Sequence, residues 1–191
     1  MYDAILEGGR RELPWLLVDD SVLSPATAVA RRPWSNHTHI LCKIGMTTNR
    51  SVSARLQQWQ HACKHPVVNL TPETVEPLLS TQRNRETTLS RLLSKLTISR
   101  SKTPTCRREL NVPSYKDGGF WVAARGSLSL PMVENAIHRH LWARLGQGLV
   151  YCYGCDSDGP KRHKEWFRLP ISELPRLFRT VDSFCRGVSD S

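Results

Sequence analysis

Two amphipathic helical stripes, separated by short runs of strand-like alternation, predict an α+β fold for this chain. The first stripe lies in residues 51–61, where Val52, Leu56, Trp59 and Cys63 recur at spacings of four, three and four. The second is in residues 131–145, where Ile137, Leu141 and Leu145 repeat every four residues. Between them and before them, Thr38, Ile40, Cys42 and Ile44 alternate along residues 38–44, the period-two pattern of a strand.

Residues 1–35 read as an irregular N-terminal segment able to supply a first strand. Its apolar run Trp15-Leu-Leu-Val18 is strand-like, and the breakers at Ser24-Pro25 and Arg31-Arg32-Pro33 then signal a loop. Residues 36–170 form the expected domain. Its first strand ends at Gly45, and Thr47-Thr48-Asn49 offers N-cap side chains to the following helix, in which Arg55 lies at the margin of the apolar stripe. His65-Pro66 stops that helix and residues 67–70 return as a strand. Residues 71–127 look inserted, with short helices at 73–79 and 87–98 and loops at 99–106 and 115–119. Pro131 starts the second helix and Gly146 stops it. Cys152-Tyr-Gly-Cys155, a turn through Asp158-Gly159-Pro160 and a short strand at 165–169 follow. Residues 171–191 hold a final helix over 173–184, stacking Leu174, Leu177, Phe178 and Val181, with Pro175 in its first turn.

Composition narrows the function classes. The 191 residues are 39% hydrophobic and include six Trp, enough to require a packed core. No run approaches the roughly 18 apolar residues of a membrane span. Glu7, Arg10, Arg11, Glu12, Asp19 and Asp20 leave no apolar core for a secretory signal, so an intracellular protein is expected. The net charge is +10. It is concentrated between residues 83 and 108, where Arg83, Arg85, Arg91, Lys95, Arg100, Lys102, Arg107 and Arg108 face one acid, Glu86. Such a field attracts polyanions, nucleic acid first among them; a solvated basic loop is the plainer alternative.

Six cysteines in a reducing compartment suit metal binding or burial better than disulfides. Cys152, Cys155 and His163 offer three ligands for a tetrahedral Zn²⁺, with Cys63 as the fourth and Cys106 as a substitute; incidental buried thiols are the alternative. Glu134 shares a helical face with Ile137, Leu141 and Leu145, so folding draws a carboxylate toward the core, where it needs a cation, a metal or strong donors. A structural Arg55–Glu134 pair, or an exposed Glu134 in the first turn, would satisfy it equally. His138, one turn on, orients Glu134, donates to phosphate, or is a core histidine with satisfied nitrogens. Trp59, Trp142 and Trp166 read as core, and Trp121, near Arg125, as the better exposed aromatic.

Lys43-Ile-Gly-Met-Thr-Thr48, Arg55-Leu56, Trp59, Val133-Glu134, Ile137-His138, Leu141 and His163-Lys-Glu-Trp-Phe167 occur in that order. This series resembles the GIY-YIG nuclease superfamily, in particular its phage-type DNA-binding branch, common in fungal proteins and including the meiotically up-regulated group. The resemblance covers residues 38–70 and 128–170. It implies a small three-stranded antiparallel sheet flanked by helices, with strands near residues 15–18, 38–44 and 67–70. It implies that Arg55 steadies a scissile phosphate and that Glu134 holds a divalent cation such as Mg²⁺; Lys43, in the second tyrosine position, either assists chemistry as a buried lysine of lowered pKa or, more simply, contacts phosphate. The family's first tyrosine belongs in the strand before Lys43; Trp15-Leu-Leu is the nearest match there, and Tyr2 is the only tyrosine upstream.

The expectation is therefore a DNA-binding, nuclease-related domain, in the nucleus, with Lys43, Arg50, Arg55 and the basic residues of 83–108 on phosphates. An active metal-dependent endonuclease and a degenerate protein-interaction module are the alternatives.

Overall fold

Alternation along residues 39–45 produces the strand that organises the molecule. The computed structural model describes residues 2–6, 13–18, 32–34, 39–48, 51–63, 67–80, 112–122, 129–147, 150–153 and 158–188. Strand β4 (His39–Gly45) lies inside a four-stranded antiparallel sheet. It is flanked by β1 (Tyr2–Leu6) on one edge and β10 (Trp166–Pro170) on the other, and β5 (Val67–Asn69) pairs with β1. Registers fix the neighbours: Tyr2 lies opposite Gly45, Ala4 opposite Lys43, and Trp166 opposite Lys43 on the other edge.

The period-two rule then assigns the helices to faces. Ile40, Cys42 and Ile44 enter the main core with Val133, Ile137 and Leu141 of α3 (Leu130–Leu145) and Leu174, Phe178 and Val181 of α4 (Leu174–Arg186). Lys43, between two of those strand residues, turns to the opposite face and reaches Trp59 of α1 (Val52–Cys63). Helix α1 thus covers one face of the sheet, and α3 with α4 the other. An ion pair from Arg144 of α3 to Glu173, in the 3-10 turn Ile171–Glu173, ties α3 to the start of α4.

The α+β class is as the sequence predicts, but the main sheet has four strands rather than three, and the run around Trp15 is not in it. Strand β2 (Leu13–Val18) belongs to a second antiparallel sheet, ordered β3 (Arg32–Trp34), β2, β8 (Val150–Cys152), β9 (Lys161–His163). A strand's apolar pattern states that it pairs, not with which partner, and Tyr2–Leu6 takes the place beside β4.

Helix α2 occupies residues 72–80, covering the short helix expected at 73–79. Residues 115–119, expected as a loop, are instead a tight hairpin of β6 (Tyr115–Lys116) and β7 (Gly119–Phe120). Its two turn residues, Asp117 at φ 52° and Gly118 at φ 83°, both adopt the left-handed backbone that an Asp-Gly turn supplies. Asn69 Nδ2 donates to Gly118 O at 2.9 Å, anchoring the turn to β5. Tyr115 and Phe120 stack edge-on at 5.2 Å, and Phe120 meets Phe178 of α4 at 5.5 Å. The basic run 83–108, with its expected helix at 87–98, lies outside the described residues. Among the described residues, no helix is long and apolar enough to cross a membrane.

Candidate functional site

The site assembles at the C-terminal end of β4, where β10 stops pairing. Trp166, the first residue of β10, lies opposite Lys43, so β10 does not pair with Ile44 and Gly45. His138 of α3 meets β4 at that point. It is buried, and its Nε2 lies 2.9 Å from Ile44 O. A carbonyl can only accept, so Nε2 carries the proton and donates. The ring also packs on Trp142 and Phe167, with centroids at 5.6 and 5.8 Å. His138 is therefore a core histidine that docks α3 onto β4.

Lys43 is held from two sides. Its Nζ sits 3.2 Å from the centroid of the Trp59 ring and 2.9 Å from Glu165 Oε2, with only 12% of the side chain exposed. An aromatic face and a carboxylate both stabilise a positive charge. Glu165, 52% exposed, precedes β10. Its partial burial alone would raise its carboxyl, but the hydrogen bond and charge of Lys43, with the nearby His138 and His163, outweigh that and hold it below its usual range.

Arg55 lies on the same α1 surface. It donates from Nη1 to Gln58 Oε1 at 3.1 Å, and its guanidinium carbon stands 6.0 Å from the Trp59 centroid. The structure thus brings Lys43 and Arg55 together on Trp59. Glu134 is partly buried in the first turns of α3, one turn before His138. No ion pair joins it to Arg55, which removes the structural-pair alternative. The residue that α3 turns fully into the core beside Ile137 is Val133 rather than Glu134. Arg55 and Glu134 sit on helices that pack against opposite faces of the sheet, and no contact joins them. Arg50 and the basic residues 83–108 lie outside the described residues.

Of the expected zinc ligands, the side chains of Cys152 and His163 are among the described residues. Cys152 is buried in β8 and His163 partly buried in β9; in register, Val150 faces His163 and Cys152 faces Lys161. Cys152 and His163 are thus a diagonal pair on one face of the second sheet. Cys155 and Cys106 lie outside the described residues, and Cys63 ends α1. Among the described residues, no group of three or more His, Cys, Asp and Glu side chains is clustered to hold a metal ion. Trp121 is 58% exposed, as expected, with its indole N–H donated to Lys116 O; Arg125 is not among the described residues.

Glu165 is the residue that reading the sequence did not single out as a site residue. The signal was present in the His163–Phe167 block, but its role depends on which strand Trp166 pairs with. Trp59, expected in the core, is only partly buried and serves as the floor under two cations.

The Saccharomyces cerevisiae protein YPL034W, described as uncharacterized, is 43% identical over 167 residues, covering 74% of this chain and 98% of that protein. A 67-residue stretch is 40% identical to part of the human protein "A disintegrin and metalloproteinase with thrombospondin motifs 3"; it covers 33% of this chain and 5% of the human one. No solved structure matches the chain. The family model of the T5orf172 domain matches residues 27–182, from just before β3 into α4. The chain therefore belongs to the T5orf172 domain family, a phage-type nuclease and DNA-binding family related to GIY-YIG-like folds.

Proposed function

We propose that this protein is a DNA-binding domain of the GIY-YIG-like kind that addresses backbone phosphate at the end of β4. The observation that carries the reading is the meeting of Lys43 and Arg55 on the Trp59 ring. Two cations held on one aromatic floor, one of them a planar guanidinium, suit a phosphodiester oxygen pair. The basic segment 83–108 adds sequence-independent attraction. Binding to a short duplex should weaken steeply as salt rises, because neutralised phosphates release counterions. A titration showing the same affinity at 50 and 200 mM salt would overturn the reading.

A second reading, cleavage, is favoured by the backbone position of Tyr2. Tyrosine is expected in a strand beside Lys43, and β1 puts Tyr2 opposite Gly45, two residues along from the Ala4–Lys43 pair. This strand precedes the span matched by the family model, so the support is the sheet register alone. Glu134 fits a divalent cation, being a partly buried carboxylate without an ion pair to Arg55, and Mg²⁺ takes one or two carboxylates while keeping several waters. Such an ion would supply Lewis acidity toward a phosphate oxygen. Arg55 would offset the charge developing on that phosphate, and Lys43 would orient it. Plasmid nicking with Mg²⁺ or Mn²⁺ by the wild type, lost in Glu134→Ala and lowered in Tyr2→Phe while DNA binding persists, is the expected outcome. Equal nicking by wild type and Glu134→Ala would remove the Glu134-centred site.

A further inference from the structure

One strongly basic surface is not used by the site at β4. Helix α4 buries Leu174, Leu177, Phe178 and Val181, and turns Arg176, Arg179 and Arg186 outward. At about 100° per residue these three fall within roughly 80° of one another around the helix. They line a concavity of about 530 Å³ whose opposite wall includes Pro113. Asp182 also borders it, but that carboxylate is committed. It accepts from Ser114 N at 2.7 Å, Ser114 Oγ at 2.6 Å and Arg186 Nε at 2.7 Å, and its side chain is 4% exposed. The bond to Nε fixes the Arg186 guanidinium plane while leaving both its Nη groups outside that contact. Arg176 has only a long pair with Glu173, at 3.9 Å and 61% exposed, which water and salt weaken readily. Arg176, Arg179 and Arg186 therefore line one concavity in which, among the described residues, the bordering carboxylate of Asp182 is already engaged.

Planar guanidinium forks match the oxygens of a phosphate better than any other common anion-binding side chain does. The surroundings point to a polyanion rather than a single small anion. Arg107 and Arg108 close the basic run, and Arg108 is five residues before Pro113. Duplex DNA carries about one negative charge per 1.7 Å of axis, so a backbone crossing the concavity presents several phosphates to its arginines. We infer that the arginine pocket on α4 seats a backbone phosphate of duplex DNA, as a second contact separate from the residues at the end of β4. This inference rests on the DNA-binding reading proposed above.

The test compares the full chain with Arg176→Ala/Arg179→Ala, keeping Arg186 because it braces Asp182. Affinity for a labelled duplex of about 20 base pairs is measured over a salt series, with the Tm of each protein. The double variant is expected to lose about tenfold in affinity and to flatten the log–log salt slope by about 1–2. Its Tm should be unchanged, and Arg176→Lys/Arg179→Lys should restore most of the slope. Wild-type affinity and slope in the alanine variant would overturn the inference while leaving DNA binding at β4 standing. A wild type that binds no duplex even at low salt would bring down both. A loss accompanied by a lowered Tm and not rescued by lysine would assign the arginines a structural role. Binding of a phosphoserine peptide in place of DNA, abolished in the double variant, would give the pocket to a protein partner; either result overturns the inference.

Discussion

Lys43 and His138 show how single side chains set the chemistry available at the end of β4. The Lys43 ammonium lies between Trp59 and Glu165, so the carboxylate helps to hold the cation in place over the ring. Because Lys43 holds the Glu165 carboxyl below its ordinary 4.5, the pair contributes stability that is complete above that value and lost as pH falls through the lowered native one. With Glu165 half exposed, the contribution should be about 0.2–1 kcal/mol. Urea unfolding of wild type and Glu165→Gln should differ by a constant amount at pH values well above 4.5, and the gap should close as pH falls below that value. A gap that widens in acid would contradict the pairing. His138 is a different case, because its partner is a backbone carbonyl that α3 needs for docking. His138→Phe keeps an aromatic ring against Trp142 and Phe167 but leaves Ile44 O without its donor. A loss of about 1–3 kcal/mol in chemical denaturation is expected.

The elements differ in how much of them the sequence made legible, for physical reasons. Helices α1, α3 and α4 have apolar stripes and clear stops, so local pattern and tertiary burial agree. The strand through Lys43 was legible from its alternation. Strand partners were not, because choosing β1 rather than β2 as the neighbour of β4 is decided by side-chain packing across distant segments. The position of Lys43 and Arg55 could be read from motif order, but the Trp59 floor and the Glu165 pairing needed the register of β10 against β4. The β6–β7 hairpin was legible in principle, since Asp117-Gly118 is a strong turn signal. Gly118 has φ 83°, and a Cβ there would meet Asn69 Nδ2 at 3.3 Å. Gly118→Ala should therefore cost about 1–2 kcal/mol through the left-handed backbone alone. If Asn69 yields, Asn69→Ala combined with Gly118→Ala should show a coupling below about 0.5 kcal/mol in a double-mutant cycle; a larger coupling would locate the strain in that contact.

Across the whole molecule, the described chain resumes beyond α2 at Val112, which is buried in the same core as β4 and α4. It is fastened two residues later, where Ser114 meets Asp182 across 68 residues of sequence. This clamp ties the end of the basic insertion to the helix that carries the arginine pocket, so local geometry there depends on a long-range contact. The three bonds to Asp182 are unequal in what their loss exposes. Ser114→Ala removes the hydroxyl bond but keeps the backbone one, and should cost about 1 kcal/mol. Asp182→Ala removes all three bonds and leaves the buried Ser114 N–H and hydroxyl without their acceptor, so about 3–5 kcal/mol is expected. In the Ser114→Ala background, Asp182→Ala should cost about 1 kcal/mol less than it does alone, since the hydroxyl bond is already gone. Equilibrium unfolding of the two single variants and the double variant checks this ordering. Equal, small losses in all three would mean that the insertion is anchored by Val112 and Phe120 packing alone, with the carboxylate a bystander.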